Sequence, residues 1–167
     1  MSEAADEQLD ITVELADWDD PAGEQLRAQQ RVELIAMYEG DSEPGAKPTA
    51  ADVNAFVIAS DAAGTPVGCG ALRELEPAVA EIKRMFVVPE FRGRGISRLI
   101  LDSLEAQAIS RGWTTLKLET GTLQTAAIAL YESAGYRPTE PWGAYADSPV
   151  SLCYAKLITP ITEVRVR

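Results

Sequence analysis

A chain of 167 residues, 46% hydrophobic and 25% charged, is long enough to bury one real core and too apolar to be a disordered segment. Its net charge of -11 argues against DNA or RNA as a general partner, because phosphate binding needs a basic face. Histidine is absent, so imidazole triads, two-histidine zinc motifs and histidine relays cannot be built, and acid–base work falls to Asp, Glu, Tyr, Lys or Cys.

Residues 1–24 hold nine acids and no Lys or Arg. They read as a solvated acidic tail over 1–8 followed by the flank of a first strand, "LDITVEL" (9–15), which alternates apolar and polar residues. "DDPAGEQLRAQQRVELIAMYEG" (19–40) has helical spacing at Leu26, Val32, Ile35 and Ala36, with Pro21 suited to a first turn and Gly40 to a stop. "DSEPGAKP" (41–48) is a loop, and "TAAD" (49–52) makes one short helical turn. "VNAFVIAS" (53–60) and "PVGCGALREL" (66–75) are strands joined by the hairpin turn "DAAG", where Gly64 suits a positive φ. After "EP", the strand "AVAEIKRMFVV" (78–88) completes an antiparallel meander and stops at Pro89.

"RGISRLILDSLEAQAISRGW" (94–113) is an amphipathic helix with its apolar stripe at Ile96, Leu99, Ile100 and Leu104 and its stop at Gly112. The strand "TTLKLET" (114–120) follows, and strand, helix and strand within about forty residues make a crossover whose two strands run parallel. "TAAIALYESAG" (125–135) is a second helix of this half, "YRP" starts a short strand, "TEPWGAYADSP" (139–149) is a long loop and "VSLCYAKLI" (150–158) the last strand. One domain over 9–158 with a tail at 159–167, built on a mixed α/β or α+β sheet, is the expected organisation.

Cys69 and Cys153 are the only cysteines, too few and too isolated for a disulfide framework or a metal site; buried thiols in a reducing cytoplasm suit them. No apolar run approaches the roughly 18 residues that span a bilayer. The opening "MSEAADEQLD" lacks the basic flank and apolar core of a signal peptide. A cytoplasmic protein with no membrane and no nucleic-acid partner is expected.

One local feature runs against the overall charge. Lys83, Arg84, Arg92, Arg94 and Arg98 fall within sixteen residues, with Glu90 the only acid among them. A cation patch on an anionic body points to a small anionic ligand. A helix N-terminus presents unpaired N–H groups and the positive end of its dipole, and preceding glycines let the backbone approach a phosphate. Arg92, Gly93, Arg94, Gly95, Ile96 and Ser97 therefore make either a pyrophosphate cradle or a tight strand-to-helix turn that uses glycines for its own geometry. Walker A chemistry is excluded because Gly-Lys-Ser/Thr is missing, and a dinucleotide fingerprint fails where Arg98 replaces its third glycine.

"MFVVPEFRGRGIS" (85–97) resembles motif A of the GNAT superfamily of N-acetyltransferases, and "LETGTLQTAAIALYESAGY" (118–136) resembles its motif B. The order of elements matches as well, and the tail "PWGAYADSPVSLCYAKL" is similar to a bacterial branch of small members. The resemblance implies the GNAT fold: a mixed, mainly antiparallel sheet of about seven strands, with about four helices and a parallel fourth and fifth strand that splay apart. It implies acetyl-CoA as co-substrate and no metal. The strand edge of Met85, Phe86, Val87 and Val88 would pair with the pantetheine arm, as an added strand does. The diphosphate would lie on Arg92 to Ser97, and a backbone N–H near Val87 would meet the acetyl carbonyl. Ser97 stands where a small Gly or Ala is usual, and Gln124 where many members carry Asn.

Acetyl transfer to an amine needs two proton movements. An alkyl ammonium, with a pKa of about 10, must lose a proton, and a leaving thiolate must gain one. The resemblance makes Tyr131 the general acid, on the same helix face as Gln124; packing as a core tyrosine is the other reading. Glu81 matches the position where some members hold a glutamate base, although four strand residues to Met85 span about 13 Å, so a relaying water is required. Glu81 can equally balance Lys83 or Arg84, and Glu119 and Glu74 are alternative bases. Arg31, Glu33, Tyr38, Arg73, Arg84, Trp142 and Tyr145 are candidates to border the acceptor pocket.

The acidic body would steer cationic amines, whereas strand arginines would hold the carboxylate of an amino acid. Two functions stay open at this point: an acetyltransferase acting on a small amine, an amino acid, or a protein N-terminus or lysine; and a non-catalytic acetyl-CoA-binding module. The family resemblance is compatible with a homodimer.

Overall fold

The computed structural model describes residues 10–158. The expected tails at 1–8 and 159–167, and Leu9 of the expected first strand, lie outside them. Seven strands form one sheet in the order β1-β2-β3-β4-β5-β7-β6: β1 Thr12–Leu15, β2 Ala55–Ser60, β3 Pro66–Glu76, β4 Val79–Val87, β5 Thr115–Gly121, β6 Arg137–Pro138 and β7 Ser151–Leu157. Every neighbouring pair is antiparallel except β4 and β5, which are parallel. The described helices are α1 Pro21–Tyr38, α2 Ile96–Ser110 and α3 Thr125–Ser133, with short 3-10 turns at Pro89–Phe91 and Gly143–Asp147. Three α-helices therefore stand where about four were expected. The segment between α1 and β2 is loop and a single turn, closed by Val53 N–H bonding to Thr49 O at 3.1 Å. No described helix is long and apolar enough to cross a membrane.

The larger core lies on the α2 and α3 side of the sheet. Helix α2 buries Ile96, Ile100, Leu101, Leu104 and Ala108 against it, each large side chain contributing about 1.5–3 kcal/mol. Leu99, expected on that stripe, is 44% exposed, and Leu101 takes its place. The approach is close because β3 carries Gly68 and Gly70, where a Cβ would come within 2.8 Å of the Ile100 and Leu104 methyls respectively. That contact fixes where the N-terminus of α2 sits.

Helix α1 packs on the opposite face. Asp20 accepts from Ala22 N–H at 2.9 Å, Pro21 fills the first turn, and Glu39 in the left-handed region (φ 57) ends the helix. Its N-terminal half docks through Gly23 and Leu26 onto a smaller cluster of Phe56, Ile58, Cys69, Ala71 and Phe86. Val32 is 70% exposed and Ile35, at the rim of a small cavity, 42%, contrary to the expected stripe. Gln30 and Leu34 instead face the sheet side, because this half of the helix runs over a gap rather than over packed strands.

The gap has a local cause. In the β3–β4 ladder Phe86 opposes Cys69 and Lys83 opposes Ala71, so Arg84 and Met85 together face Gly70. This is a β-bulge, with Arg84 in the left-handed region at φ 58. Strand β4 pairs with β5 only over Val79–Ile82, against Thr115–Leu118, while β5 continues with β7 to Gly121. Past the bulge the parallel strands part.

Candidate active site

A cavity of about 380 Å³ fills the gap between the parted strands. Its floor is β4 from Ile82 to Val87; one wall is Glu119 and Thr120 of β5 with Gln124, Leu130 and Tyr131 from the start and body of α3. Gln30, Glu33, Leu34 and Met37 of α1 roof it, and Arg92, Gly93, Gly95, Ile96 and Ser97 close one end. Of the residues expected to bind the cofactor, all but two line this cavity: Val88 packs between the two cores, and Arg94 lies with its guanidinium 5.2 Å from the Phe91 ring centroid, off the cavity wall.

The main-chain direction of β4 follows from its pairing with β3. Phe86 is in register with Cys69, and Val88 N–H bonds to Val67 O at 2.9 Å, so the Phe86 and Val88 main-chain groups face β3. Alternation turns those of Met85 and Val87 toward the gap. Two side chains cap this edge: Gln30 Nε2 donates to Met85 O and Arg92 Nε to Val87 O, each at 2.9 Å. The edge carbonyls are occupied, and the Met85 and Val87 N–H groups face the cavity.

At the α2 end the cradle is main chain. Gly93 (φ 77) and Gly95 (φ 79) adopt left-handed conformations, and Gly95 caps the helix without any side-chain hydrogen bond. A Cβ on either glycine would meet nothing within 4 Å, so dihedral angle rather than crowding requires glycine. Ile96 and Ser97, whose first-turn N–H groups have no intrahelical partner, line this end of the cavity. The expected arginine charge is directed elsewhere: Arg92 Nη2 is held by both Glu33 oxygens at 2.9 and 2.8 Å, and Arg98 pairs with Asp102 at 3.3 Å.

The other end is built from side chains. Glu81 is fully buried. Its Oε1 accepts from Arg73 Nη2 at 2.8 Å and its Oε2 from the Tyr145 hydroxyl at 2.7 Å. Lys83 Nζ donates to Tyr145 Oη at 2.8 Å and lies 3.7 Å from Glu43. Arg84 grips Glu43 with two bonds of 2.6 and 3.1 Å. Glu81, expected as the base, has both oxygens engaged and no place on the cavity wall. Arg73 and Tyr145, expected at the acceptor, serve this buried network instead. Glu74 is exposed and away from the cavity.

Glu119, by contrast, is on the wall. Burial pushes its carboxyl above the usual carboxylate range, against the Ser151 hydroxyl and Lys83, which pull it down. Tyr131 is buried, edge-on to Tyr136 with centroids 5.9 Å apart. Burial and the nearby Glu119 charge push its phenol well above the ordinary tyrosine value, so it keeps its proton at neutral pH. Thr120 Oγ1 is buried against this cavity without a hydrogen-bond partner.

Of the remaining expected residues, Arg84 lines the cavity and also borders a second one of about 290 Å³, which Arg31 lines with Trp18 and Arg27. Tyr38, off the cavity wall, bridges α1 to the end of β5: its hydroxyl accepts from Leu123 N–H at 3.2 Å, and a side chain at Gly121 would collide with it. Trp142 stands edge-on to Tyr145. Glu43, Thr120 and Gln30 were not singled out from the sequence. Glu43 had no sequence signal, since its partners lie 40 and 41 residues away.

Residues 12–136 match the Acetyltransferase (GNAT) family. Over 134 residues, 76% of this chain and 88% of the relative, the sequence is 36% identical to an IAA acetyltransferase of Azospirillum brasilense. Among solved structures it is similar to a putative acyl-CoA N-acyltransferase from Klebsiella pneumoniae, with a TM-score of 0.78 and 29% identity over 89% of this chain and 98% of that one. A GNAT family acetyltransferase from Elizabethkingia anophelis, solved with acetyl-CoA bound, shares the fold at a TM-score of 0.66 and 19% identity, over 89% and 98% of the two chains.

Proposed function

The chain belongs to the GNAT family of acetyltransferases, and from that premise we propose that it transfers an acetyl group from acetyl-CoA to the primary amine of a small molecule or amino acid. One observation carries the reading: a single cavity joins a helix N-terminus with no side-chain cap, a strand edge whose carbonyls are capped but whose N–H groups face it, and a protonated tyrosine. The residues suit coenzyme A. The unpaired N–H groups of α2 favour a diphosphate, the Met85 and Val87 edge suits amides of an extended arm, and the orphaned Thr120 hydroxyl awaits a polar partner. Acetyl-CoA supplies the activated thioester.

The remaining work falls to the chain. The Val87 N–H, turned toward the cavity, would donate to the carbonyl oxygen as it gains charge. Tyr131 holds a phenolic proton for the departing sulfur. Glu119 takes Glu81's expected role as the base, because it alone of the two reaches the cavity, and its raised affinity for protons suits it to accept one from an ammonium. Glu81 is the positioning residue that aligns Tyr145 and Lys83. Both described cysteines are free and buried, which fits a reducing cytoplasm.

Titration calorimetry with acetyl-CoA, followed by a thiol-release assay across amines and amino acids, tests the reading. Binding together with amine-dependent release is expected. Binding without release across the panel would favour the sensing module, and absence of binding would remove both.

A further inference from the structure

Lys83 and Arg84 are neighbours on a strand, and successive strand side chains point to opposite faces. Here both reach the same carboxylate, Glu43, at 3.7 Å and at 2.6 and 3.1 Å. The bulge makes this possible by putting Arg84 in the left-handed region, at a cost in backbone strain that a non-glycine residue bears. A glycine would form the same bulge without that cost, so the strain accompanies the guanidinium. Strain of this kind collects at functional sites.

The two partners differ in how they are held. The cations stand on β4, and Lys83 is fastened beneath by Tyr145 and Glu81. Glu43 stands on the 41–48 loop, which has no strand or helix, turns through Gly45 (φ 82) and closes on itself through Asp41, Lys47 and the Glu43 N–H. The Arg84–Glu43 pair is also the partition between the two cavities, since both residues line each of them. A fixed double cation, capped by a carboxylate on an irregular loop, forms one wall of the acceptor end.

We infer that Glu43 is a stand-in for the carboxylate of the acceptor. This rests on the reading of the cavity as an acetyltransferase site. The acceptor is an amino acid or similar amino-carboxylic acid, whose carboxylate takes the planar Arg84 fork with Lys83 beside it as the 41–48 loop gives way. Its side chain enters the second cavity toward Trp18, Leu34 and Ile35. The competing arrangement, in which Glu43 stays and binds the acceptor ammonium, predicts the opposite sign for the same substitution.

The test uses the full chain, with and without coenzyme A. N-acetyl-phenylalanine and N-acetyl-leucine, and the N-acetyl derivatives of their decarboxylated amines, are titrated by calorimetry. Glu43→Gln should bind the two carboxylates at least fivefold tighter than the parent, and Arg84→Gln should lose them. The decarboxylated partners should respond to neither change. In thiol release, the free amino acids should show a KM at least tenfold below their decarboxylated amines, a gap that Arg84→Gln closes. Unchanged or weaker carboxylate binding by Glu43→Gln, or equal binding of the decarboxylated set, overturns the inference. Because the titrations need no turnover, they decide it even if no acceptor releases thiol, an outcome that counts against the acetyltransferase reading alone. Glu43 sits on a partly exposed loop, so titrating its variant decides the matter even should Arg84→Gln fold poorly.

Discussion

At one end of the cleft the protein offers main chain; at the other it offers side chains. The α2 end consists of N–H groups aimed by two left-handed glycines, and two of its arginines, Arg92 and Arg98, are tied down by Glu33 and Asp102. At the β4 end Lys83, Glu43 and Arg84 line the cleft, backed by the buried network of Glu81, Tyr145 and Arg73. The first kind of site suits a ligand part that never changes, because backbone geometry is tolerant of sequence. The second suits a part that differs between relatives, because every contact can be replaced singly. In the proposed function the first is the cofactor end and the second the acceptor end.

The deepest cut is at the buried network. Glu81→Ala leaves Arg73 and Lys83 without their shared carboxylate, and breaking a buried pair costs about 3–5 kcal/mol. Urea unfolding should show that loss, while acetyl-CoA affinity of the folded protein stays within about twofold of the parent, well under 1 kcal/mol. A comparable fall in cofactor affinity would mean that the two ends are not separable. Tyr131→Phe should lower kcat by about 100-fold, the low end for a general acid, with acetyl-CoA binding nearly unchanged; full activity would strip the residue of its role. Glu119→Gln should cost about 10-fold or more in kcat/KM at neutral pH.

Stability responds to Glu119 with the opposite sign. Folding raises its proton affinity, chiefly through burial, so the native state binds more protons than the unfolded state as pH climbs past the ordinary carboxylate value. Stability is lost across that window. The Gln variant should therefore melt higher than the parent at neutral pH and alike at strongly acid pH.

The same division explains what the sequence disclosed. The α2 turn was legible because strand, Pro89, both glycines and the helix stripe lie in one short run, and each constraint is local. The parallel crossover followed from the same run. Glu81 was legible as a position but not as a role, since one of its partners, Tyr145, is 64 residues away in a loop. Glu43 was illegible: a glutamate in a Pro/Gly loop looks like any solvated acid until β4 bends toward it. The helix stripes failed for a different reason. "LIL" at 99–101 offers two adjacent faces of equal hydrophobicity; the glycines of β3 seat Ile100 and Leu104 against the sheet, and with the helix so turned Leu101 rather than Leu99 is buried. In α1, Val32 and Ile35 follow helical spacing, yet that part of the helix spans a cleft and has no packed sheet beneath it.

Two glycines flanking one helix sharpen the main-chain end. Gly95 (φ 79) precedes α2 and Gly112 (φ 81) follows it, and a Cβ on either meets nothing within 4 Å. Alanine at either position should cost about 1 kcal/mol of stability through the left-handed conformation alone. Only Gly95→Ala should also weaken acetyl-CoA, by about 5–10-fold in calorimetry, or 1–1.4 kcal/mol. Equal affinity in the two variants would detach the cofactor from the helix N-terminus.

The smallest effect distinguishes a waiting contact from a packing defect. Thr120 Oγ1 is buried without a partner on the cavity wall, a condition that costs about 1–3 kcal/mol for a polar group in that state. Valine has the same shape without the hydroxyl, so Thr120→Val should raise the melting temperature of the ligand-free protein. If the hydroxyl exists to meet the cofactor, that gain must be repaid on binding: acetyl-CoA affinity should fall about threefold, near 0.65 kcal/mol. Saturating acetyl-CoA would then narrow the difference in melting temperature between variant and parent. A variant that is more stable and binds as tightly as the parent would assign Thr120 to the core, and the cavity wall beside Tyr131 would be apolar in function.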